Sequence, residues 1–218
     1  MKKFLSMAAT AVLSMSSSLA LAGPITTLFN TGVDAAGAVV AHNTVGDAHY
    51  TLLSVTLGST SLAVPQLKAA TGAGEGFPIP PWVGDNTTSR WIGPNAADLN
   101  GVLNAVYQYR TTFDLTGADP LTALISGRWA SDDSNGYMVL NGNAVGTNST
   151  GFASWTNFSI NQHFVAGINT LDFFVTNSGG GPTGLRVEMT GTVPEPTALA
   201  LVAIALLGAG CASRRRSA

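Results

Sequence analysis

Cysteine occurs once, at Cys211, so the chain can close no internal disulfide. Together with His42, His49 and His163 it falls in no ligand spacing for a structural zinc. Charge is scarce as well. Asp, Glu, Lys and Arg make up 10% of the 218 residues, against about a quarter in ordinary soluble domains. The net charge of −2 and a pI near 5.8 leave nothing to neutralise a phosphate backbone, which argues against nucleic acid as a partner. No Gly-x-Ser-x-Gly elbow, no His-Glu-x-x-His pair and no phosphate-cradling glycine loop before a helix occurs. His42, His49 and His163 are scattered, with strand-end hydrogen bonding as their ordinary use. Hydrophobic residues, at 45%, and 25 glycines are plentiful. Stability therefore rests on packing and hydrogen bonds.

The two ends are set apart from the rest. Lys2 and Lys3 precede an apolar stretch from Phe4 to Leu21 softened by serines, and Ala20-Leu21-Ala22 supplies the small residues a signal peptidase accepts. This predicts a leader over 1–22, a signal helix cut before Gly23 by signal peptidase. At the other end, Val-Pro-Glu-Pro at 193–196 is followed by an apolar run over 197–213 and then by Arg214, Arg215 and Arg216 in a basic tail, 214–218. Seventeen helical residues reach about 26 Å, enough for a transmembrane helix in a thin bilayer. The arginines hold their end on the cytoplasmic side, which leaves Glu195 facing outward. Pro194 and Pro196 lack an amide proton and disfavour helix before them, so the segment 193–196 is expected to be extended and open to a processing enzyme. A plain membrane anchor would need the apolar run but not the Pro-Glu-Pro.

These three parts, in this order, resemble the PEP-CTERM sorting signal. The resemblance covers residues 193–218 and implies recognition by an exosortase, a membrane enzyme of Gram-negative bacteria that make exopolysaccharide. It implies cleavage near Pro194-Glu195-Pro196, with Arg214–Arg216 as the stop, and passage from an inner-membrane-anchored intermediate to the cell surface or extracellular matrix. Such a motif marks a substrate and confers no activity. Gly208-Ala209-Gly210-Cys211 lacks the leucine and the N-terminal position of a lipoprotein box.

Between the signals, residues 23–192 are expected to form one ectodomain. Setting aside Lys2, Lys3 and Arg214–Arg216 leaves five basic side chains against 12 acidic ones, a net charge of −7 for the exported part. Period-2 alternation recurs there. Tyr107, Tyr109, Thr111, Phe113 and Leu115 fall on one face of one predicted strand, with Leu53, Val55 and Leu57 inward on another. Thr156–Ile160, Leu171–Val175 and Leu185–Met189 read alike, Ala123–Trp129 is a further strand, and Tyr137–Leu140 is a short central one. Turn formers separate them, among them Asn141-Gly142 and Gly179-Gly180-Gly181-Pro182. The expected fold is all-β, an antiparallel β-sandwich of jelly-roll type. Pro65 to Pro94 carries too much proline for a strand interior and is expected to run over the surface. Leu99–Val106 allows one or two helical turns. From Arg128 to Gly146, the succession of strand, Asp-rich turn, strand and Asn-Gly hairpin resembles galactose-binding-like jelly rolls. Gly180–Glu188 is similar to the closing strand of exported PEP-CTERM domains.

The candidate chemistry is modest. Asp132 and Asp133 are adjacent, and side chains adjacent on a strand project in different directions, unlike the facing carboxyls of a glycosidase. Ser131, Asp133, Asn135 and Gly136 imitate part of a calcium loop, but position 1 lacks its Asp and position 12 falls on Gly142. A turn closed by its own Asp side chains is the simpler reading. Aromatics are the better lead. Trp82 is expected to be exposed in Pro80-Pro81-Trp82, Trp129 to lie in the core, and Trp155 stands beside a loop. A flat aromatic face with polar neighbours suits a sugar ring, so Trp82, Trp155, Asp132, Asp133 and Asn141 form the candidate carbohydrate-binding set. The resulting expectation is a non-catalytic exported protein with exopolysaccharide as partner and no cofactor beyond that calcium loop. A secreted polysaccharide hydrolase or a self-associating matrix subunit are the alternatives.

Overall fold

Alternating apolar residues force the central segments into strands that bury one face, and the computed structural model shows how those faces meet. It describes residues 22–65, 68–69, 78, 80–94 and 100–194, all within one compact unit spanning 22–196. The proposed signal helix and transmembrane helix, residues 1–21 and 197–213, lie outside these. Among the described residues no helix is long and apolar enough to cross a membrane.

The strands in chain order are β1 (Ala22–Pro24), β2 (Tyr50–Leu57), β3 (Thr60–Ser61), β4 (Lys68–Ala69), β5 (Ile92–Gly93), β6 (Asn100–Gly101) and β7 (Val106–Asp114). They continue with β8 (Leu124–Asp132), β9 (Tyr137–Leu140), β10 (Asn143–Val145), β11 (Thr156–Ile160), β12 (Ile168–Thr176), β13 (Gly181–Pro182) and β14 (Gly184–Pro194). One sheet runs β11-β8-β14-β5-β4, with β1 also on β14. The second runs β10-β9-β12-β7-β2-β3, and β13 pairs with β6. Every pairing is antiparallel, so the fold is the expected all-β antiparallel sandwich.

The two inner faces share one core. Tyr107, Tyr109 and Phe113 from β7 and Leu171, Phe173 and Val175 from β12 meet Ile125 and Trp129 from β8 and Leu185, Val187 and Met189 from β14. Trp129 lies 5.5 Å from Phe173 across the gap, and each such side chain fully buried contributes about 1.5–3 kcal/mol. Asn141 and Gly142, with φ of 49° and 84°, form the two-residue turn between β9 and β10 that the Asn-Gly pair favours.

Three local expectations are corrected. In β2 the buried residues are Tyr50, Leu52 and Val55, whereas Leu53 and Leu57 are exposed. The register against β7 shifts between Leu52 and Ser54, and a bulge of one residue moves the following side chains to the other face. Asn100–Val106 is not helical: Asn104 has φ 61°, outside the helical range, and Val106 already belongs to β7. Finally, the end of the proline-rich segment is not a surface excursion. Residues 82–91 fold back over the outer face of the first sheet, and Ile92–Gly93 join that sheet as β5, with Ile92 opposite Leu185.

Candidate functional site

The outer face of the first sheet holds a network of buried charged side chains. Leu185, Val187 and Met189 of β14 point into the core, so alternation turns Arg186 and Glu188 the other way. There Arg186 is fully buried and Glu188 nearly so, beneath the 82–91 segment. Arg186 donates through Nε to Ser89 Oγ at 2.8 Å and through Nη1 to the Gly84 carbonyl at 2.6 Å and the Val83 carbonyl at 3.2 Å. Glu188 Oε1 accepts from Asn86 Nδ2 and Ser89 Oγ, and Oε2 accepts from Arg128 Nε at 2.7 Å. Burial pulls the Arg186 guanidinium below the ordinary arginine range, though Glu188 and Asp85 work against it. Burial pushes Glu188 up, but the donors from Asn86, Arg128 and Ser89 outweigh it and hold the carboxyl below its usual range.

Trp82, expected to be exposed, is 7% exposed. It packs on Trp91, with ring centroids 4.4 Å apart, and near Phe152. The cause is the folding back of the proline-rich segment, fixed by Trp91 Nε1 donating to the Val83 carbonyl and Val83 N donating to the Phe152 carbonyl. Trp155 packs against the same cluster. Its ring carries the Arg128 guanidinium 4.5 Å and the Arg186 guanidinium 5.0 Å from its centroid, within cation-π range.

Asp132 and Asp133 converge, which corrects the expectation that they diverge. β8 ends at Asp132 and the chain turns, with Asp133 N donating to the Thr176 carbonyl, so strand alternation no longer applies. Burial, then hydrogen bonding and repulsion from Asp133, push Asp132 up to about 7, opposed by a hydrogen bond with Trp82. Asp133 is raised by burial but held low on balance by the Gly179 amide, Asp132 and Ser178. The surroundings thus favour the protonated form of Asp132 and the charged form of Asp133.

Ser131 Oγ donates to the Asp133 carbonyl at 2.6 Å, and Asp133 Oδ2 accepts from Ser178 Oγ and Gly179 N. Asn135, at φ 66°, donates through its amide to the Ser149 carbonyl. Ser131 and Asp133 thus commit these groups to protein partners, and no group of three or more His, Cys, Asp or Glu positioned for a metal occurs among the described residues. The structure therefore brings Trp82, Trp155 and Asp132 to the outer side of the first sheet, while Asp133 bonds Thr176, Ser178 and Gly179 at the end of β12. Asn141 belongs to the second sheet, where it bonds the His163 carbonyl, Asn169 and Thr170 N.

Sequence reasoning missed an open groove of about 370 Å³ over that outer face, lined by Asn30, Thr88, Arg128, Asn157 and Glu188, with Gly127 among its lining residues. The one available signal was the presence of two charges, Arg186 and Glu188, on the non-core positions of a strand in a chain otherwise poor in charge.

Of the processing residues, Ala22, Gly23 and Pro194 are described, in β1 and β14. Ala20, Glu195, Pro196 and Arg214–Arg216 lie outside the described residues. Residues 192–216 match the family described as the PEP-CTERM protein-sorting motif. No curated protein matches the chain. This motif supports an exported protein sorted by exosortase at the membrane, and the match is confined to 25 of the 218 residues.

Proposed function

We propose that the protein is a non-catalytic component of the cell surface or exopolysaccharide matrix of a Gram-negative bacterium, and that its sandwich binds carbohydrate weakly. The leader over 1–22 exports it, the apolar run over 197–213 holds an inner-membrane intermediate, and exosortase acts near Pro194-Glu195-Pro196. The ectodomain is read as a galactose-binding-like jelly roll. The observation that carries the carbohydrate reading is the open groove bordered by Arg128, Asn157, Asn30 and Thr88 beside Trp155. Amide, hydroxyl and guanidinium groups round an open trough supply both donors and acceptors for sugar hydroxyls, and Trp155 supplies the ring edge. Trp82 belongs to the cluster that packs against Trp155, and neither it nor Asp132 nor Asp133 lines the groove. Asn141 stands apart from it.

The test is a glycan array together with titration of recombinant 23–196 against the producer's own polysaccharide. Binding that weakens at least about tenfold on Asn157→Ala, a loss of 1.4 kcal/mol, and that is unchanged by Asn141→Ala is the expected result. Absence of any binding removes the reading.

A further inference from the structure

The open groove over the first sheet holds polar groups that the fold does not use, and its charges do not balance. Alternation sets Ser126 and Arg128 of β8, Glu188 and Thr190 of β14 and Asn157 of β11 on the outer face. Pairing lays them side by side, with Arg128 between Asn157 and Glu188 and Ser126 opposite Thr190. All of them line the groove. Ser126, Asn157 and Thr190 are exposed, and their side chains hydrogen-bond no other described residue.

Arg128 has donors to spare. A guanidinium offers one fork through Nε and Nη2 and another through Nη1 and Nη2. Glu188 Oε2 takes the first, at 2.7 Å from Nε and 2.6 Å from Nη2. The second meets no acceptor among the described residues. The guanidinium carbon sits over the Trp155 ring, 4.5 Å from its centroid, and the side chain is 43% exposed, so a ligand in the groove can reach the open fork. Nearby carboxylates do not cancel the charge. Arg90, Arg128 and Arg186 act on one another here with Asp85 and Glu188 against them. Asp85 answers Arg90 at 3.2 Å, which leaves Glu188 to serve both Arg128, at 2.6 Å, and Arg186, at 3.7 Å. Asp132, on the same side, sits where its protonated form is favoured. Three guanidiniums against two carboxylates leave one positive charge in excess, in an exported part whose net charge is −7. The domain as a whole repels anions, whereas this face attracts one.

We propose that the groove selects acidic sugars: a uronate carboxylate takes the open fork of Arg128 in a bidentate pair, while Ser126, Asn157 and Thr190 meet hydroxyls of the same glycan. This rests on the carbohydrate reading above and names the class of sugar. The two oxygens of a carboxylate match the fork, and the neutral hydroxymethyl group that replaces it in an ordinary hexose has neither the second oxygen nor the charge. Glu188, which also accepts from Asn86 and Ser89, fixes the guanidinium in place and leaves its outer edge free.

The test titrates the full chain, solubilised in a non-ionic detergent, with two pairs of hexasaccharides: a galacturonate and a mannuronate oligomer, each beside the same oligomer with its carboxyls reduced to alcohols. The acidic member of at least one pair is expected to bind at least about tenfold tighter, a difference of about 1.4 kcal/mol. Arg128→Gln should bring this preference to within about twofold of unity. Because that variant also strips a partner from Glu188, two exposed substitutions beside Arg128 give an independent check: Ser126→Asp should lower the preference several-fold and Ser126→Lys raise it several-fold. Reduced oligomers bound as tightly as acidic ones, or a preference that neither Ser126 substitution moves, overturns the inference. Binding confined to neutral glycans on the array overturns it as well and leaves the carbohydrate reading standing, whereas binding to no glycan at all removes both.

Discussion

Strand β14 buries both of its faces by opposite means. Its inner face is apolar, with Leu185, Val187 and Met189 packed against the second sheet. Its outer face places Arg186 and Glu188 out of water under a loop that answers them with carbonyls, hydroxyls and an amide. The outer face of the second sheet differs again: Arg110 and Asp172 pair there with the arginine about one-third exposed. Apolar burial tolerates approximate partners, because dispersion and water exclusion have no direction. Charged burial requires each donor and acceptor to be met, because an unmet one forfeits its hydration.

The first way to break the comparison is to remove Arg186. Arg186→Ala leaves the Gly84 and Ser89 carbonyls without their arginine donor and opens a void, although the Val83 carbonyl keeps Trp91 Nε1, and breaking such a buried network costs about 3–5 kcal/mol. Leu185→Ala, one residue away on the inner face, costs about 2–5 kcal/mol through lost transfer energy and a cavity. Urea unfolding of the 23–196 fragment measures both. If Arg186 sat on an ordinary solvated strand face, its loss would stay within about 0.5 kcal/mol, and the claimed equivalence of the two faces would fail.

Why one face was legible and the other not follows from the range of the signals. Alternation is local, so the inward residues of β7, β11, β12 and β14 could be read from neighbours in the chain. The bulge in β2 reversed that reading at Leu53 and Leu57, because a single extra residue leaves no mark in composition. Burial of Arg186 and Glu188 depends on residues 82–91, about 100 positions away, whose prolines signalled only that they could not continue a strand. Trp82 was misplaced for the same reason. The sorting motif was legible throughout because a processing enzyme reads it as linear sequence.

A second prediction concerns the Asp132–Asp133 pair at the margin of the same outer face. The folded pKa of Asp132 is near 7 against 3.8 when unperturbed, so between those values the folded state holds a proton the unfolded chain has released. Stability from this group is fullest below about pH 4, falls as pH rises through 4 to 7, and levels off above that. Asp132→Asn, which mimics the protonated carboxyl, should flatten this part of the profile. Trp82→Phe removes a hydrogen bond that favours the charged form and should move the window to higher pH. Thermal unfolding from pH 4 to 8 reads both shifts, and a slope unchanged in Asp132→Asn would mean that the carboxyl is ionised throughout.

The smallest effect is expected on the outer face of the second sheet. Arg110 donates through Nε and Nη2 to the two oxygens of Asp172, both at 2.7 Å, and the hydrogen bond with Asp172 raises the arginine's pKa. The geometry is as favourable as that around Glu188, but here the arginine is about one-third exposed while the Asp172 carboxylate is buried, so solvent screens one partner only. Arg110→Met keeps the apolar stem over the sheet but leaves the buried Asp172 carboxylate without its donor, so its cost should be about 1–3 kcal/mol, less than that of Arg186→Ala, and shrink in high salt. Arg186→Ala should keep its full cost in the same salt, because ions do not reach a buried guanidinium. Equal salt sensitivity of the two variants would show that the 82–91 segment opens to solvent, and that coverage is not what separates the two outer faces.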